Sequence, residues 1–493
     1  MLRTAESRRR PGWATMLLRL SGIWAGAMLG LGGAAFGQSL NETISTAYQM
    51  NPALDAQRAR LRATDENIPQ ARAGFLPTIS ATGARGVTNT QSTNSQNVTV
   101  VSPQNTVSSG NGESRSTNYA ITLKQPVFSG FRTYNAVNQA EAETRAGQET
   151  LRDVEQTVLL AAVTAHMDVV INRRLVLLAE RNLALLTKLL GVTGKRFQDS
   201  DVTTTDVQQA RSRRAGAMVV LESARASYKS SRARYQEVVG IVPSNLEVPP
   251  LPKRLLPSTL DMAIEATLAE NPVVGAAYFR EMAAQYPVKI IRGEQLPDVA
   301  INGSYSEDNI SGVGAGRTRT AEVEARMTIP IFEGGLIHSR VRQAKEVLVS
   351  LQQELKQTRN QAKQRTTSAW SIFKANESQL QARRVQLRSA ELALSGIRQE
   401  EALGQRTIAN VLDSQQEAVN AEAGLRGAEH DTLVNAYALL AAIGRLTIKQ
   451  LEIEQHVYDA TAHADQVRHQ IWGTTTVTYG DGNSDPDAAR TPR

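Results

Sequence analysis

Pro126-Val127-Phe128-Ser129-Gly130 opens a stretch with no further proline until Pro243, broken only by the polar run Phe197–Val207, after which helical patterning resumes. The same order returns at Pro330-Ile331-Phe332-Glu333-Gly334, with its own polar break over Glu401–Val411. Every landmark is displaced by a constant 204 (126/330, 128/332, 130/334, 207/411). An offset held over such a span marks a tandem repeat, and a repeat governs the reading of everything else in the chain. At 1.5 Å per residue, the helix expected before each break would span on the order of 100 Å. No globular core needs a rod of that length.

The rods carry a narrow apolar seam. Leu151, Val154, Val158, Ala161 and Ala165 follow a 3-4 spacing, as do Leu175, Leu178, Leu185 and Leu189 with Asn182 among them. Leu387, Ala390, Leu394 and Ile397 repeat the pattern in the second copy. A seam at period 3.5 predicts coiled-coil packing, narrower than the stripe of a globular surface helix. A helical repeat packed on itself explains the seam equally well but leaves the material in front of each rod unexplained.

That material changes period. Tyr119, Ile121, Leu123 and Val127 alternate with polar or small residues, and Val323, Ala325, Met327 and Ile329 do the same. Weaker alternation starts at Thr78 and Asp298. Four strands follow, two per copy and each about ten residues long. Such strands match the wall of an outer-membrane barrel, although a soluble sheet with one wet face fits the pattern as well. Four strands cannot close a barrel, for which about eight is the practical minimum. Either the sheet is open or several chains pool their strands. Between the first two strands, Thr88 to Thr117 is rich in Ser, Asn, Thr and Gly and reads as a flexible surface loop.

Upstream, residues 41 to 73 pattern as an amphipathic helix broken at Asn51-Pro52. Leu260 to Gly293 is its counterpart and carries the matching break at Asn271-Pro272. Residues 1–37 read as an export signal: Arg8, Arg9, Arg10 and Arg19 precede an apolar run from Leu20 to Phe36, and small residues stand before Gln38. The organisation is therefore signal (1–37), first repeat (38–241), proline-rich linker (242–257), second repeat (258–446) and a C-terminal region (447–493) that ends in disorder from Gly473 onward.

Composition narrows the chemistry. The chain carries +7, and the signal holds five arginines and one glutamate, which leaves about +3 for the mature protein. No basic stripe interleaved with aromatics appears, so nucleic acid is not an expected partner. There is no cysteine, hence no disulfide and no thiol chemistry. The six histidines show no metal-ligand spacing, and His456, His463 and His469 in the tail read as solvated. Gly191-Val192-Thr193-Gly194-Lys195 lacks the glycine spacing and the following Ser or Thr of a phosphate loop. No catalytic constellation, cofactor site or metal site is expected, and the chain does not read as an enzyme.

The signal, the duplication, the paired strands before each rod and the Pro-x-Phe-x-Gly elbows together resemble the outer-membrane efflux (TolC-like) family. Asn51 to Pro77 looks like the variety found with type I secretion systems. The resemblance covers Leu40 to Leu446. It implies an α+β membrane protein: a homotrimer whose four strands per chain form one twelve-stranded β-barrel in outer-membrane lipid, over a long α-barrel of coiled-coil helices in the periplasm. The implied function is a passive exit duct for proteins or small molecules, joined to a periplasmic adaptor and an inner-membrane transporter. The alternative is a periplasmic adaptor that braces a pump. The resemblance places the strand–helix elbows at Pro126, Gly130, Pro330 and Gly334, and the adaptor-facing tips at Phe197, Ser200, Glu401 and Gly404. It places the pore constriction at Asp206, Arg406, Asn410 and Asp413. Ser200 stands where the family usually has a tip glycine, Glu401 where an aromatic is common, and Asn410 where one of two acids is common. An Arg406–Asp206 latch is expected, with Glu401 as a competitor for Arg406. Asp206 also fits a helix-capping box with Thr203.

Overall fold

A computed structural model describes residues 38–91, 112–200, 202–312, 314–453, 455 and 457–474. The export signal, the middle of the first loop and the end of the tail lie outside the described residues. The first copy runs α1 (Leu40–Met50), α2 (Pro52–Asp65), α3 (Asn67–Arg72), a 3-10 turn (Ala73–Phe75), β1 (Thr78–Thr90), β2 (Gly112–Ser129), α4 (Arg132–Gln198) and α5 (Thr204–Val239). The second runs α6 (Leu260–Glu270), α7 (Pro272–Gly293), β3 (Asp298–Gly312), β4 (Gly316–Thr328), α8 (Leu336–Ala402) and α9 (Ile408–Ile443), followed by a short α10 (Ala462–Val467).

The offset is a structural one. Helices α4 and α8 each have 67 residues, and α5 and α9 each have 36. Their first residues keep the spacing of the sequence landmarks, Arg132 with Leu336 and Thr204 with Ile408. At 67 residues the rods reach about 100 Å. Their seams are packed: Ala390 and Leu394 of α8 bury against Ala418 and Ala421 of α9, while Leu186 and Ala217 meet Ile408 and Leu412 near the tips.

The Asn-Pro breaks are hinges with a fixed chemistry. Asn51 ends α1 and caps α2, its side chain accepting from the Ala53 amide at 3.0 Å and donating to the Val238 carbonyl at 2.9 Å. Asn271, its match in the second copy, does the same, accepting from Val273 at 3.0 Å and donating to Ala442 at 2.8 Å. Each short helix is thereby tied to the far end of its own hairpin, and the proline sits where its missing N–H costs nothing.

The four strands form one antiparallel sheet in the order β1-β2-β3-β4. They run 13 to 18 residues, longer than the ten expected. The surplus is polar: Thr88 pairs with Ser114 and Thr90 with Gly112, so the expected loop is strand at both its ends. Backbone pairing extends the ladder where side chains no longer alternate in polarity, and alternation was the only signal available.

The main core lies midway along the molecule, where both copies meet. Leu40, Ile44, Tyr48, Leu54 and Leu61 pack on Leu151, Leu159, Val163 and Met167 of α4 and on Leu433, Tyr437 and Leu440 of α9. The segment after Gly444 belongs to it. Leu446 and Ile448 are fully buried there, and His463 is buried with its Nδ1 3.0 Å from Asp65 Oδ2. The expectation of a solvated histidine cluster is therefore corrected for His463. His469 is exposed, and His456 lies outside the described residues.

Candidate functional site

The sheet has two unlike faces. Cross-strand partners share a face, and the rungs Ile79·Leu123·Gly303·Val323 and Ala81·Ile121·Tyr305·Ala321 are apolar. These side chains are not covered: Val323 is 82% exposed, Ile79 69% and Tyr119 62%, values far above those of a soluble core. The opposite face is polar. On it Ser80 and Thr122 hydroxyls lie 2.7 Å apart, Asn118 donates to Asp308 at 2.5 Å and Asn302 donates to Glu324 at 3.1 Å. Apolar-out and polar-in alternation on the same strands is the arrangement of a barrel wall between lipid and water. Among the described residues no helix is long and apolar enough to cross a membrane, and no group of three His, Cys, Asp or Glu could hold a metal ion.

At the elbows the chain turns from sheet to rod through left-handed backbone. Gly130 and Gly334 both have φ 61°, a conformation that costs a side-chain-bearing residue about 1–2 kcal/mol. The elbows differ in what surrounds them. Gly130 is pressed against the backbone of Gly293 and against Leu296, and Phe128 meets Phe131 edge-on at 5.1 Å. Gly334 has no atom within 4 Å of where a Cβ would stand, and its neighbours Ile331 and Phe332 are 96% and 87% exposed. Pro126 sits at a register shift in the β2–β3 ladder, as a residue without N–H requires, whereas Pro330 follows the end of β4.

The tips are built alike. Asp199 caps the end of α4 and is followed by Ser200 at φ 66°, and Leu403 caps the end of α8 and is followed by Gly404 at φ 75°. Serine thus holds the glycine conformation. Ser200→Gly is expected to stabilise this tip by about 1 kcal/mol, read as slower amide exchange over 195–206; exchange unchanged from wild type would show the strain to be absorbed elsewhere. Thr203 then caps α5 in a capping box with Asp206 (2.9 and 3.3 Å), and Thr407 caps α9 with Asn410 (3.2 and 3.4 Å). Asp206 and Asn410 are therefore matched residues with one local job. Phe197 and Leu403 leave 44% and 74% of their surface exposed at this end.

The charges pair differently from the expectation. Within the chain Arg406 Nε contacts Glu400 at 2.8 Å, so the competitor for Arg406 is Glu400 and not Glu401. Glu401 is held by Arg196 at 2.5 Å, and Asp413 by Arg213 at 2.5 Å. Both of these pairs join the first hairpin to the second. Arg196, Arg213 and Glu400 were missed by reading each tip alone. The repeat did hold a signal: Arg196 and Glu400 occupy matched positions with opposite charge, as do Arg213 and Glu417.

A family model described as outer membrane efflux protein matches residues 43–240 and 263–445, most of the chain. The chain belongs to the outer membrane efflux protein family. It is 34% identical over 452 residues to outer membrane efflux protein BepC of Brucella suis, covering 90% of this chain and 94% of the relative. It is 23% identical over 433 residues to outer membrane protein TolC of Escherichia coli, covering 84% of each. The solved structure of the outer membrane protein VceC from Vibrio cholerae shares the fold at a TM-score of 0.68 and 17% identity, covering 82% of this chain and 96% of that one. The chain is an outer-membrane exit duct of a tripartite export system, extending into the periplasm. Family members are channels, and the adaptor alternative falls away with the family match.

Proposed function

We propose that three copies of the chain close one conduit, with a twelve-stranded barrel in lipid and the helical tips as its constriction toward an adaptor and a transporter. The observation that carries this reading is the unequal cover of the two elbows. Gly130 is backed by Leu296 of the second copy. Under the repeat the equivalent of that contact is Gly334 against Leu76, and within one chain nothing stands within 4 Å of a Cβ built on Gly334 while Leu76 is 37% exposed. A neighbouring chain that presents its Leu76 to Gly334, Ile331 and Phe332 would complete the symmetry, and β1 and β4, each unpaired on one side, would join across the same junction. Three copies supply enough strands for closure, and one does not.

The chain has no cysteine, so a test is direct. In Leu76→Cys/Phe332→Cys, a short bismaleimide should convert the detergent-purified protein to a covalent trimer, while either single variant should give none. Monomer alone, or cross-linking by a single variant, would overturn the arrangement.

For the constriction we propose Asp206, Arg406, Asn410 and Asp413, with Arg406 meeting Asp206 of a neighbouring copy when the duct is closed. Glu400 competes for the same guanidinium from within the chain. These groups are about half exposed, so each pair contributes about 0–1 kcal/mol, and only threefold repetition makes a useful latch. Arg406→Ser should raise single-channel conductance severalfold, and Glu400→Gln should lower it or leave it unchanged. Asp413→Ala should weaken cation preference without opening the pore. An intact Arg406→Ser trimer with wild-type conductance would remove the latch.

A further inference from the structure

The outward face of the sheet changes character toward the hairpin ends. Tyr305 in the upper apolar rung and Tyr119 on the next one are both about half exposed or more, in the manner of an interfacial aromatic girdle. The next positions on the same face are Arg319, opposite Glu307 and on the Tyr119 rung, then Arg85 and Arg317 on the rung of Thr117 and Asn309, then Arg115 opposite Val87 and Ser311. All four arginines are exposed. The only acids among them on this face are Glu307, which pairs with Arg317 and, at 3.2 Å, with Arg319, and Glu113, 2.9 Å from Arg115. Arg85 has no ion-pair partner among the described residues. The surplus is two positive charges per chain.

The location decides what such a surface can meet. The elbows lead into the periplasmic rods, so the hairpin ends of the strands lie at the outer leaflet, and this face looks into lipid. Arginine is costly in hydrocarbon, and outward-facing arginine is tolerated only near the interface. The arginines sit there, from the Tyr119 rung outward. Each guanidinium has five donors, more than one shared carboxylate can engage, and its fork suits phosphate oxygens. Arg85 on β1 and Arg317 on β4 are separated by three inter-strand spacings, about 14 Å at ~4.8 Å each, which is too wide for one phosphate.

We propose that this arginine row binds a lipid headgroup of the outer leaflet that carries at least two phosphates, with the acyl chains lying along the Ile79–Val323 rungs below. The inference rests on the barrel reading of the proposed function, which turns this face to lipid; absence of headgroup preference in an assembled protein would overturn this inference alone.

The test uses detergent-purified full-length protein mixed with diphosphoryl lipid A, its fully dephosphorylated form, or phosphatidylglycerol, with bound lipid counted by native mass spectrometry. Wild type should retain the diphosphoryl form over the other two. The variant Arg85→Gln/Arg115→Gln/Arg317→Gln/Arg319→Gln should lose that preference, by roughly fivefold for each arginine removed. The same four positions changed to Lys should keep most of it, which separates charge from misfolding. Equal retention of the phosphorylated and dephosphorylated forms by wild type would overturn the proposal. So would phosphatidylglycerol binding as well as the diphosphoryl lipid, or a preference that survives in the glutamine variant.

Discussion

Gly130→Ala should leave little or no protease-resistant chain, whereas Gly334→Ala should leave the single chain folded. Both glycines stand at φ 61°, so both substitutions carry the same left-handed penalty of about 1–2 kcal/mol. The surroundings separate them. A Cβ on Gly130 would run into the carbonyl of Gly293 and lie 3.1 Å from Leu296 Cβ. Gly293 is itself a glycine pressed on the Gly130 carbonyl, so two backbones touch and neither has a flexible end that can yield. Overpacking adds about 1–3 kcal/mol and pushes the elbow away from α7, just where the strand must enter the rod at a fixed angle. The sum, about 3 kcal/mol or more, is a large share of an ordinary domain's stability. For Gly334 the chain itself offers no clash. The yield of protease-resistant chain before assembly measures both variants, since in the assembly proposed above a neighbouring Leu76 would crowd Gly334 as Leu296 crowds Gly130. Equal behaviour of the two would mean that the Gly130–Gly293 contact does not set the elbow.

Much of this architecture was legible because the repeat writes each feature twice. One proline-free run suggests a helix; the second, at the same constant offset, fixes both its ends, and α4 and α8 agree to the residue. The Asn-Pro breaks were equally clear, since Asn51 and Asn271 cap and tether in the same way. Strand length was not legible. Polar ends such as Thr88–Thr90 hold their place by backbone pairing alone, which leaves no trace in side-chain alternation. The tail was missed for a related reason. Leu446, Ile448 and His463 are single residues dropped into a core built by other elements, and isolated positions have no period to detect.

At the tips the difficulty was different. Asp206 is what a helix cap and a pore acid would both look like, and in the chain its side chain is occupied with Thr203. The ion pairs that hold the hairpins together, Arg196–Glu401 and Arg213–Asp413, join residues a full repeat apart. A tip read alone supplies one charge of each pair. The pairs become visible only when the tips of the two copies are read together, and even then matched positions name Glu400 and Glu417 where the partners are Glu401 and Asp413.

His166→Gln should cost about 2–3 kcal/mol at pH 8 and also alter how stability depends on acid. His166 on α4 is fully buried where four segments meet. Its Nε2 lies 2.8 Å from the Glu247 carbonyl and so carries the proton, which leaves Nδ1 to accept from Thr43 Oγ1 at 2.8 Å. Thr43 in turn lies 3.1 Å from the Tyr235 hydroxyl, which can donate to it, so α1, α4, α5 and the connector share one polar chain. Burial pushes the His166 pKa below its ordinary value of 6.5, against the pull of the Glu247 carbonyl. The unfolded chain therefore takes a proton first as pH falls. Stability is full above about 6.5 and is lost below it, down through the folded pKa. His430 works in the opposite sense. Burial also opposes its charge, but Asp168 at 3.0 Å and Asp431 at 2.9 Å hold its two ring nitrogens and raise its pKa overall. Its contribution is complete below about 6.5 and disappears as pH rises through the raised value. In wild type the two trends act in opposite directions, so single variants separate them. Thermal melts from pH 8 to pH 5.5 should show His430→Gln losing stability toward acid more steeply than wild type. His166→Gln, weaker at every pH, should lose less on acidification or gain. If the two variants keep the wild-type slope, neither histidine changes protonation on unfolding, and the polar chain through Thr43 is not what makes the junction sensitive to acid.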